Sequence, residues 1–211
     1  MKLIVFLSGL LLHFLLLHWT ESVEEEKVNL ISLDRIIYFF EQNYTIKTAG
    51  DPEPYAVAIN VPKNQCNGSF DPSNFLTQEN TTNVTDAIYN NDNHFYEGTD
   101  LIAAGLRPLK DIENSKINPV SYLLKSEAAF TKLLKRRNDS CVVIYSVYSP
   151  CKTMSGSYNI TPELKNLKNH SGIKAFVFSK VYGVDKNDHK CSDFAQNCKE
   201  IVEHVPLYRC E

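Results

Sequence analysis

The chain has 211 residues, with 22 Lys+Arg against 25 Asp+Glu, and 43% of it is hydrophobic. This composition is ordinary for a globular protein and excludes a disordered chain, and the formal net charge of −3 argues against a strongly basic nucleic-acid binder. The 8 Gly and 9 Pro follow no repeating pattern, which excludes collagen-like and coiled-coil arrays.

The N-terminal segment has the pattern of a secretory signal peptide. A basic residue at position 2 precedes an apolar run from Leu3 to Leu17, and the small residues Thr20 and Ser22 follow. An uncleaved anchor is the alternative, but the run is shorter than the roughly 20 residues that a membrane span requires. We therefore predict a signal peptide at 1–22, a single mature domain at 23–211 without a membrane span, and secretion from the cell.

The first part of the mature chain predicts a helix, two strands and a long surface segment. Leucine, isoleucine and phenylalanine recur at helical spacing from about Asn29 to Asn43. Tyr55 to Val61 has the composition of a buried strand, and 99–106 predicts a second strand. The segment 63–98 is polar and rich in asparagine, so we predict a glycosylated loop insertion there.

The second part predicts helices that alternate with strands. Asn118 and Pro119 are a typical N-cap and first residue for a helix over 119–136. A β-branched strand at 141–147, a helix at 162–169, a strand at 174–182 and a last helix at 192–205 follow. This alternation indicates a single three-layer α/β/α domain with helices on both faces of one sheet.

Asparagine is frequent, with 19 residues, and many of them lie in acceptor sites for N-glycosylation. An Asn-x-Ser/Thr sequon is used only if the chain enters the secretory pathway and the site is exposed. Several of these sites, not all, are expected to carry glycans. The seven sequons begin at Asn43, Asn67, Asn80, Asn83, Asn138, Asn159 and Asn169.

All six cysteines lie in the predicted mature chain, and an even number in an oxidising compartment indicates disulfides. Six cysteines allow 15 connectivities, and the sequence leaves all of them open. The disulfide candidates are Cys66, Cys141, Cys151, Cys191, Cys198 and Cys210.

Glu127 is the first candidate for chemistry. Helical spacing places it among Leu123, Leu124, Phe130 and Leu134 on the apolar stripe of its predicted helix. A carboxylate there must be partnered, protonated or at the edge of a cavity. It could serve as a general acid/base with a raised pKa, or as a structural carboxylate bonded to a backbone group or a lysine.

Cys151 is the second candidate, because it follows Pro150 where a strand leads into a helix start. Backbone N–H groups and the positive end of the helix dipole lower the pKa of a thiol in that position, which suits a metal ligand or a nucleophile. The alternative is one half of a disulfide, which the oxidising compartment favours.

Together these features resemble the zinc-dependent nucleobase and cytidine deaminases, in a secreted branch. That family carries His/Cys-x-Glu on a helix and Ser-Pro-Cys-x-x-Cys after the next strand, and here Lys125-Ser126-Glu127 and Ser149 to Met154 occupy those places. The resemblance covers Tyr55 to the C-terminus and implies a mixed sheet. It makes Glu127 the proton-shuttling residue, if the protein is active, and Cys151 a remnant zinc ligand.

Two departures from the family pattern bear on the metal. Lys125 stands where a His or Cys ligand is expected, and Met154 stands where the second Cys is expected. A catalytic zinc needs three protein ligands and a water, so one ligand of three remains. We therefore expect no cofactor, or zinc if the protein proves to be an active deaminase.

Three functions stay open at this point. The first is an inactive deaminase-like glycoprotein that binds an extracellular ligand or protein; the second is an active deaminase of nucleosides or nucleic acid; the third is an unrelated disulfide-stabilised ligand or immune factor. A basic cluster at Lys132, Lys135, Arg136 and Arg137 could meet anionic partners, but such residues more often compensate a helix dipole. Nucleic acid is therefore not an expected partner.

Overall fold

The computed structural model describes residues 26–109, 116–150, 160–180 and 198–210. The predictions for the signal peptide, Cys151, Asn159 and Cys191 lie outside the described residues. The strands of the main sheet are β1 (Tyr55–Val61), β2 (Phe95–Glu97), β3 (Leu101–Gly105), β4 (Cys141–Tyr148), β5 (Ile173–Lys180) and β6 (Leu207–Arg209). The helices are α1 (Leu30–Tyr44), α2 (Thr81–Tyr89), α3 (Pro119–Lys125), α4 (Glu127–Arg136), α5 (Thr161–Lys168) and α6 (Lys199–Val202).

The six strands form one mixed sheet in the order β6–β5–β4–β1–β3–β2. β4, β5 and β6 are parallel, whereas β1 is antiparallel to both of its neighbours, β4 and β3. α5 lies between β4 and β5 in the chain, as a parallel pair requires a crossover connection. The predicted α/β class with a mixed sheet is confirmed.

Successive side chains of β1 point to opposite faces of the sheet, and this alternation divides the core into two layers. Val57 and Ile59 pack in a cluster with α1 and α2, and Ala56 and Ala58 belong to a second cluster with α3, α4 and α5. Every residue of β1 is buried, since helices cover both faces of the strand. The three-layer arrangement predicted from the sequence is therefore present.

The prediction of a loop over 63–98 is wrong for two elements, because nine of these residues form α2 and three form β2. Val84, Ala87 and Ile88 recur at helical spacing and are buried, while the remaining positions are polar. Asn80 caps this helix, its side-chain oxygen accepting a hydrogen bond from the amide of Asn83 at 3.0 Å. The apolar stripe of α2 is short and lies among many Asn and Thr residues, so it was not recognised in the sequence.

The predicted single helix over 119–136 is also wrong, because it divides into α3 and α4 at Ser126. The φ and ψ of Ser126 are −73° and 63°, which are not helical. Its hydroxyl donates to the carbonyl of Tyr122 at 2.9 Å, so the side chain competes with the backbone at the point where the helix breaks.

The last strand of the sheet, β6, was not predicted. Leu207 to Arg209 pair in parallel with β5, and a strand of three residues offers too short a pattern to be recognised. In the described part of the helix predicted over 192–205, the four residues of α6 are helical. No helix among the described residues is long and apolar enough to cross a bilayer.

One predicted disulfide is defined in full. Cys66 and Cys141, both fully buried, are joined across a separation of 75 residues, which ties the end of β1 to the start of β4. Cys198 is disulfide-bonded as well. The prediction of Cys210 as a disulfide candidate is wrong. Cys210 is a free thiol packed beside β5, and burial raises its pKa to about 11. Its backbone amide donates to the carbonyl of Phe178, which continues the pairing of β6.

Candidate functional site

The two ends of the sheet carry different groups. Each end is defined by the strands that begin or end there. The motif end is where β1 begins at Tyr55, β3 ends at Gly105, and β4 and β5 end at Tyr148 and Lys180. The distal end is the opposite one, where β1 ends and β3, β4 and β5 begin.

Asn60 fixes the orientation of α4 from the distal end. Its amide nitrogen is fully buried and donates to the carbonyls of Leu133, at 2.8 Å, and Arg137, at 3.2 Å. The Asn60 side-chain oxygen accepts from the Ser140 hydroxyl at 2.6 Å. The last carbonyls of a helix have no partner within the helix, so the Asn60 amide anchors the C-terminus of α4 by donating to carbonyls there.

The length of α4 then places Glu127 at the motif end. Ten helical residues span about 15 Å, which corresponds to four or five residues of a strand. Because Asn60 pairs with Val142 in the sheet, the first turn of α4 lies roughly level with Ser146 and Val147 on β4. The helix that carries the first motif therefore begins at the end of the sheet where the second motif follows β4.

Glu127 itself is exposed, so its predicted place on the apolar stripe is wrong. The break at Ser126 makes Glu127 the first residue of α4, whose buried face is formed by Ala129, Phe130 and Leu133. A carboxylate in the first helical turn is stabilised by the helix dipole and remains in contact with water.

Lys125 is the last residue of α3 and is exposed. The resemblance assigns this position to a zinc ligand, but an ammonium group has no lone pair for a metal and repels a dication.

β4 leads directly to the second motif. Its last residue, Tyr148, is followed by Ser149, whose amide donates to the carbonyl of Lys180 at 2.7 Å. Ser149 and Pro150 are buried at this end of the sheet. Cys151 and Met154, which follow, lie outside the described residues. The topology thus brings Glu127 and the entry to the second motif to the same end of the domain.

The donor set of the two motifs does not fit a catalytic zinc. Of the three positions that the family uses as ligands, one is Lys125 and another is Met154, and neither an ammonium nor a thioether suits Zn²⁺. Within the four described ranges, no group of three or more His, Cys, Asp or Glu residues could hold a metal ion.

A second polar group, which the sequence did not reveal, lies on the α1 face of the sheet near the motif end. The hydroxyl of Tyr145 donates to the carboxylate of Glu41 at 3.1 Å, and the Ser179 hydroxyl donates to the same oxygen at 2.8 Å. Burial raises the pKa of Tyr145 above its usual value. These residues line a cleft of about 490 Å³ whose walls include Lys47 and Lys180. Three separate elements supply the group, so no local motif marks it.

The predicted basic cluster is largely neutralised. Lys132 pairs with Glu97 at 2.7 Å, and the two nitrogens of the Arg137 guanidinium bind the two carboxylate oxygens of Asp100 at 2.6 and 3.0 Å. Arg136 also lies 3.4 Å from Asp100. These pairs hold the C-terminus of α4 against β2 and β3, which supports the structural interpretation of the cluster.

Glu79 is a buried carboxylate that fixes the turn between β2 and β3. It accepts hydrogen bonds from the phenol of Tyr96 and from the amides of Thr99 and Asp100, each at 2.8 Å. Burial, with a further contribution from Glu79, raises the pKa of Tyr96 to about 12. A Cβ on Gly98 would overlap this carboxylate, so the close approach requires glycine.

His170 joins the distal network from the loop between α5 and β5. Its Nε2 lies 3.3 Å from the hydroxyl of Ser140. Burial is the largest cause that lowers the pKa of His170, and the nearby Lys174 and Lys63 lower it further. A hydrogen bond with the backbone of Ser140 and the charge of Asp139 raise the pKa of His170 and so act in the opposite direction.

Comparison with known proteins gives one match. The model of the family described as Secreted Novel AID/APOBEC-like Deaminase 1 matches residues 32–211, which is most of the chain. No curated protein and no solved structure matches the sequence. The family description supports the resemblance drawn from the two motifs, and it excludes the alternative of an unrelated module.

Proposed function

The chain belongs to this family of secreted AID/APOBEC-like deaminases, and from that premise we propose that it is a secreted glycoprotein that lacks zinc catalysis and acts by binding an extracellular ligand or protein. The observation that carries the proposal is that a lysine, Lys125, stands at the start of the first motif, where a metal ligand is expected. Met154 removes a second ligand, which leaves Cys151 alone.

The chemistry of nucleobase deamination explains why this loss is decisive. In the family, zinc activates a water molecule for attack on the base, and the glutamate moves protons to and from that water and the base. Without three protein ligands the metal is not held, and Glu127 then has no metal-bound water to deprotonate. In this state Glu127 acts as a charge at the N-terminus of α4.

The cleft beside Glu41 supports the binding part of the proposal. It offers a carboxylate, a phenol and a hydroxyl in one hydrogen-bonded group, with lysines on its walls, and none of these groups depends on zinc. A concave site with a few convergent polar groups is the usual form of a ligand site.

Deamination assays on the full secreted chain test the proposal. With zinc present, conversion of cytosine to uracil in single-stranded DNA and in free cytidine is expected to equal that of the matched Glu127→Gln control. Activity in the native chain that Glu127→Gln abolishes would establish the alternative, an active deaminase.

A restoration experiment tests whether the two motifs have been placed correctly. The double variant Lys125→His, Met154→Cys supplies the missing ligands and is expected to retain zinc through gel filtration, whereas Lys125→His alone is expected to lose it. A double variant that folds but binds no zinc would contradict the assignment of these two positions.

A further inference from the structure

The described sequons are unevenly placed around the domain. Asn67 follows Cys66, which is bonded to the first residue of β4. Asn138 lies in the turn between α4 and β4, two residues before Ser140, whose hydroxyl binds Asn60. Asn169 ends α5 and lies next to His170 in the same network. All three sequons are therefore at the distal end.

The sequons of α2 lie at the same end. Asn80 is its N-cap and directly follows Glu79, and Asn83 lies in its first turn. Glu79 binds the amides of Thr99 and Asp100, which immediately precede β3, so the N-terminus of α2 is fixed at the distal end. Five of the six described sequons thus surround one end of the sheet.

The amide nitrogens of these five residues are available for modification. N-glycosylation joins Nδ2 to the sugar, and within the described residues no hydrogen bond engages Nδ2 of Asn67, Asn80, Asn83, Asn138 or Asn169. All five residues are exposed. Asn80 caps α2 through its side-chain oxygen, which remains a carbonyl after glycosylation, so the cap and a glycan are compatible.

Asn43 is the exception in both position and bonding. It lies in the last turn of α1 at the motif end, where the hydroxyl of Thr45 bonds the phenol of Tyr55 at 2.9 Å. Its Nδ2 donates to the carbonyl of Phe39 at 2.8 Å, and the residue is half-buried. A sugar on this nitrogen would have to be accommodated against the helix.

We propose that the protein carries its glycans as a coat at the distal end, on Asn67, Asn138, Asn169 and at least one of Asn80 and Asn83, with Asn43 unmodified. In each transfer Nδ2 forms a bond to the anomeric carbon of a lipid-diphosphate-linked oligosaccharide and loses a proton, and the lipid diphosphate leaves. The coat lies at the end of the sheet opposite Glu127 and Ser149, and among the described sequons only that of Asn43 lies at the motif end.

Site-resolved mapping of the native chain tests this arrangement. The protein is secreted from eukaryotic cells, glycans are removed enzymatically in heavy-oxygen water, and the peptides are sequenced by mass spectrometry. The label is expected at Asn67, Asn138, Asn169 and at Asn80 or Asn83. A label at Asn43, or its absence from any of the first three sites, would overturn the proposal. The result does not depend on zinc or deamination, so it is separable from the proposed function.

Single variants give a second readout. Asn67→Gln, Asn138→Gln and Asn169→Gln are each expected to increase gel mobility by one glycan, and Asn43→Gln, the matched control, is expected to leave it unchanged. The change Asn138→Gln preserves Ser140 and its bond to Asn60. A mobility shift in Asn43→Gln, or its absence in the other three, contradicts the proposed coat.

Discussion

Removing the side chain of Asn60 is expected to destabilise the protein by several kcal/mol and to release α4, the helix that begins with Glu127. The change Asn60→Ala leaves the carbonyl of Leu133 and the hydroxyl of Ser140 without their shortest bonds. Each buried polar group left unsatisfied costs about 1–3 kcal/mol. The Ser140 hydroxyl keeps its contacts with the Arg137 carbonyl, at 3.2 Å, and with His170, at 3.3 Å, so it loses only part of its bonding. The unsatisfied carbonyl of Leu133, the weakened bonding of Ser140 and a small cavity together give a total of about 3 kcal/mol.

Urea denaturation of the secreted, oxidised protein measures this effect. With a slope of about 2 kcal/mol/M, a loss of about 3 kcal/mol lowers the midpoint by roughly 1.5 M. Asn60→Asp is expected to be at least as damaging, because a carboxylate oxygen would then face the carbonyls of Leu133 and Arg137. The control is Asn64→Ala, at an exposed position near the same end, whose effect should stay within about 0.5 kcal/mol. Equal midpoints for Asn60→Ala and Asn64→Ala would refute the role of Asn60 as the anchor of α4.

Three other perturbations act on separate parts of the fold. Replacing both Cys66 and Cys141 by Ala is expected to cost about 4 kcal/mol of chain entropy in calorimetry or urea, since the bridge closes 75 residues; a change below about 1 kcal/mol would contradict this. Because the pKa of His170 is lowered on folding, the unfolded chain binds more protons between that lowered value and the ordinary 6.5, and stability falls as the pH drops through this window. His170→Gln, which preserves the sequon, should flatten this fall in stability below about pH 7, and an unchanged pH profile would count against the role of His170. Glu79→Ala should cost about 2 kcal/mol and lower the pKa of Tyr96 towards its ordinary value in ultraviolet titration, whereas an unshifted titration would show that Glu79 does not act on this phenol.

The sequence predicted most of the strands and helices because their patterns are local. Tyr55 to Val61 and Cys141 to Tyr148 are largely apolar runs of strand length, each interrupted by one polar residue, Asn60 or Ser146, and both are buried central strands. Asn118 followed by Pro119 marked the start of α3, where the Asn118 side chain accepts from the Val120 amide at 2.9 Å. Such signals depend on near neighbours in the chain and survive folding unchanged.

The sequence failed where a local pattern competed with a tertiary one. Helical spacing placed Glu127 on the apolar stripe, but the bond from Ser126 to the backbone breaks the helix one residue earlier and turns the carboxylate to solvent. The pairing of Cys66 with Cys141 and the group of Glu41 with Tyr145 join residues distant in the chain. Single-sequence spacing contains no information on such contacts.

For the candidate site, the sequence indicated the two motifs and their departures, and the fold brings the first motif and the entry to the second to one end of the sheet. What the sequence alone did not predict is that this end lies opposite five of the six described sequons. That contrast follows from the strand order and from the position of each turn.

The most direct test of the central claim is the zinc content of the native secreted protein. Elemental analysis is made on the purified full chain after dialysis against buffer with and without added zinc. With Lys125 and Met154 in place of two ligands, we predict far less than one zinc per chain in both samples. One tightly bound zinc per chain, retained after dialysis and lost in Cys151→Ser, would contradict the account.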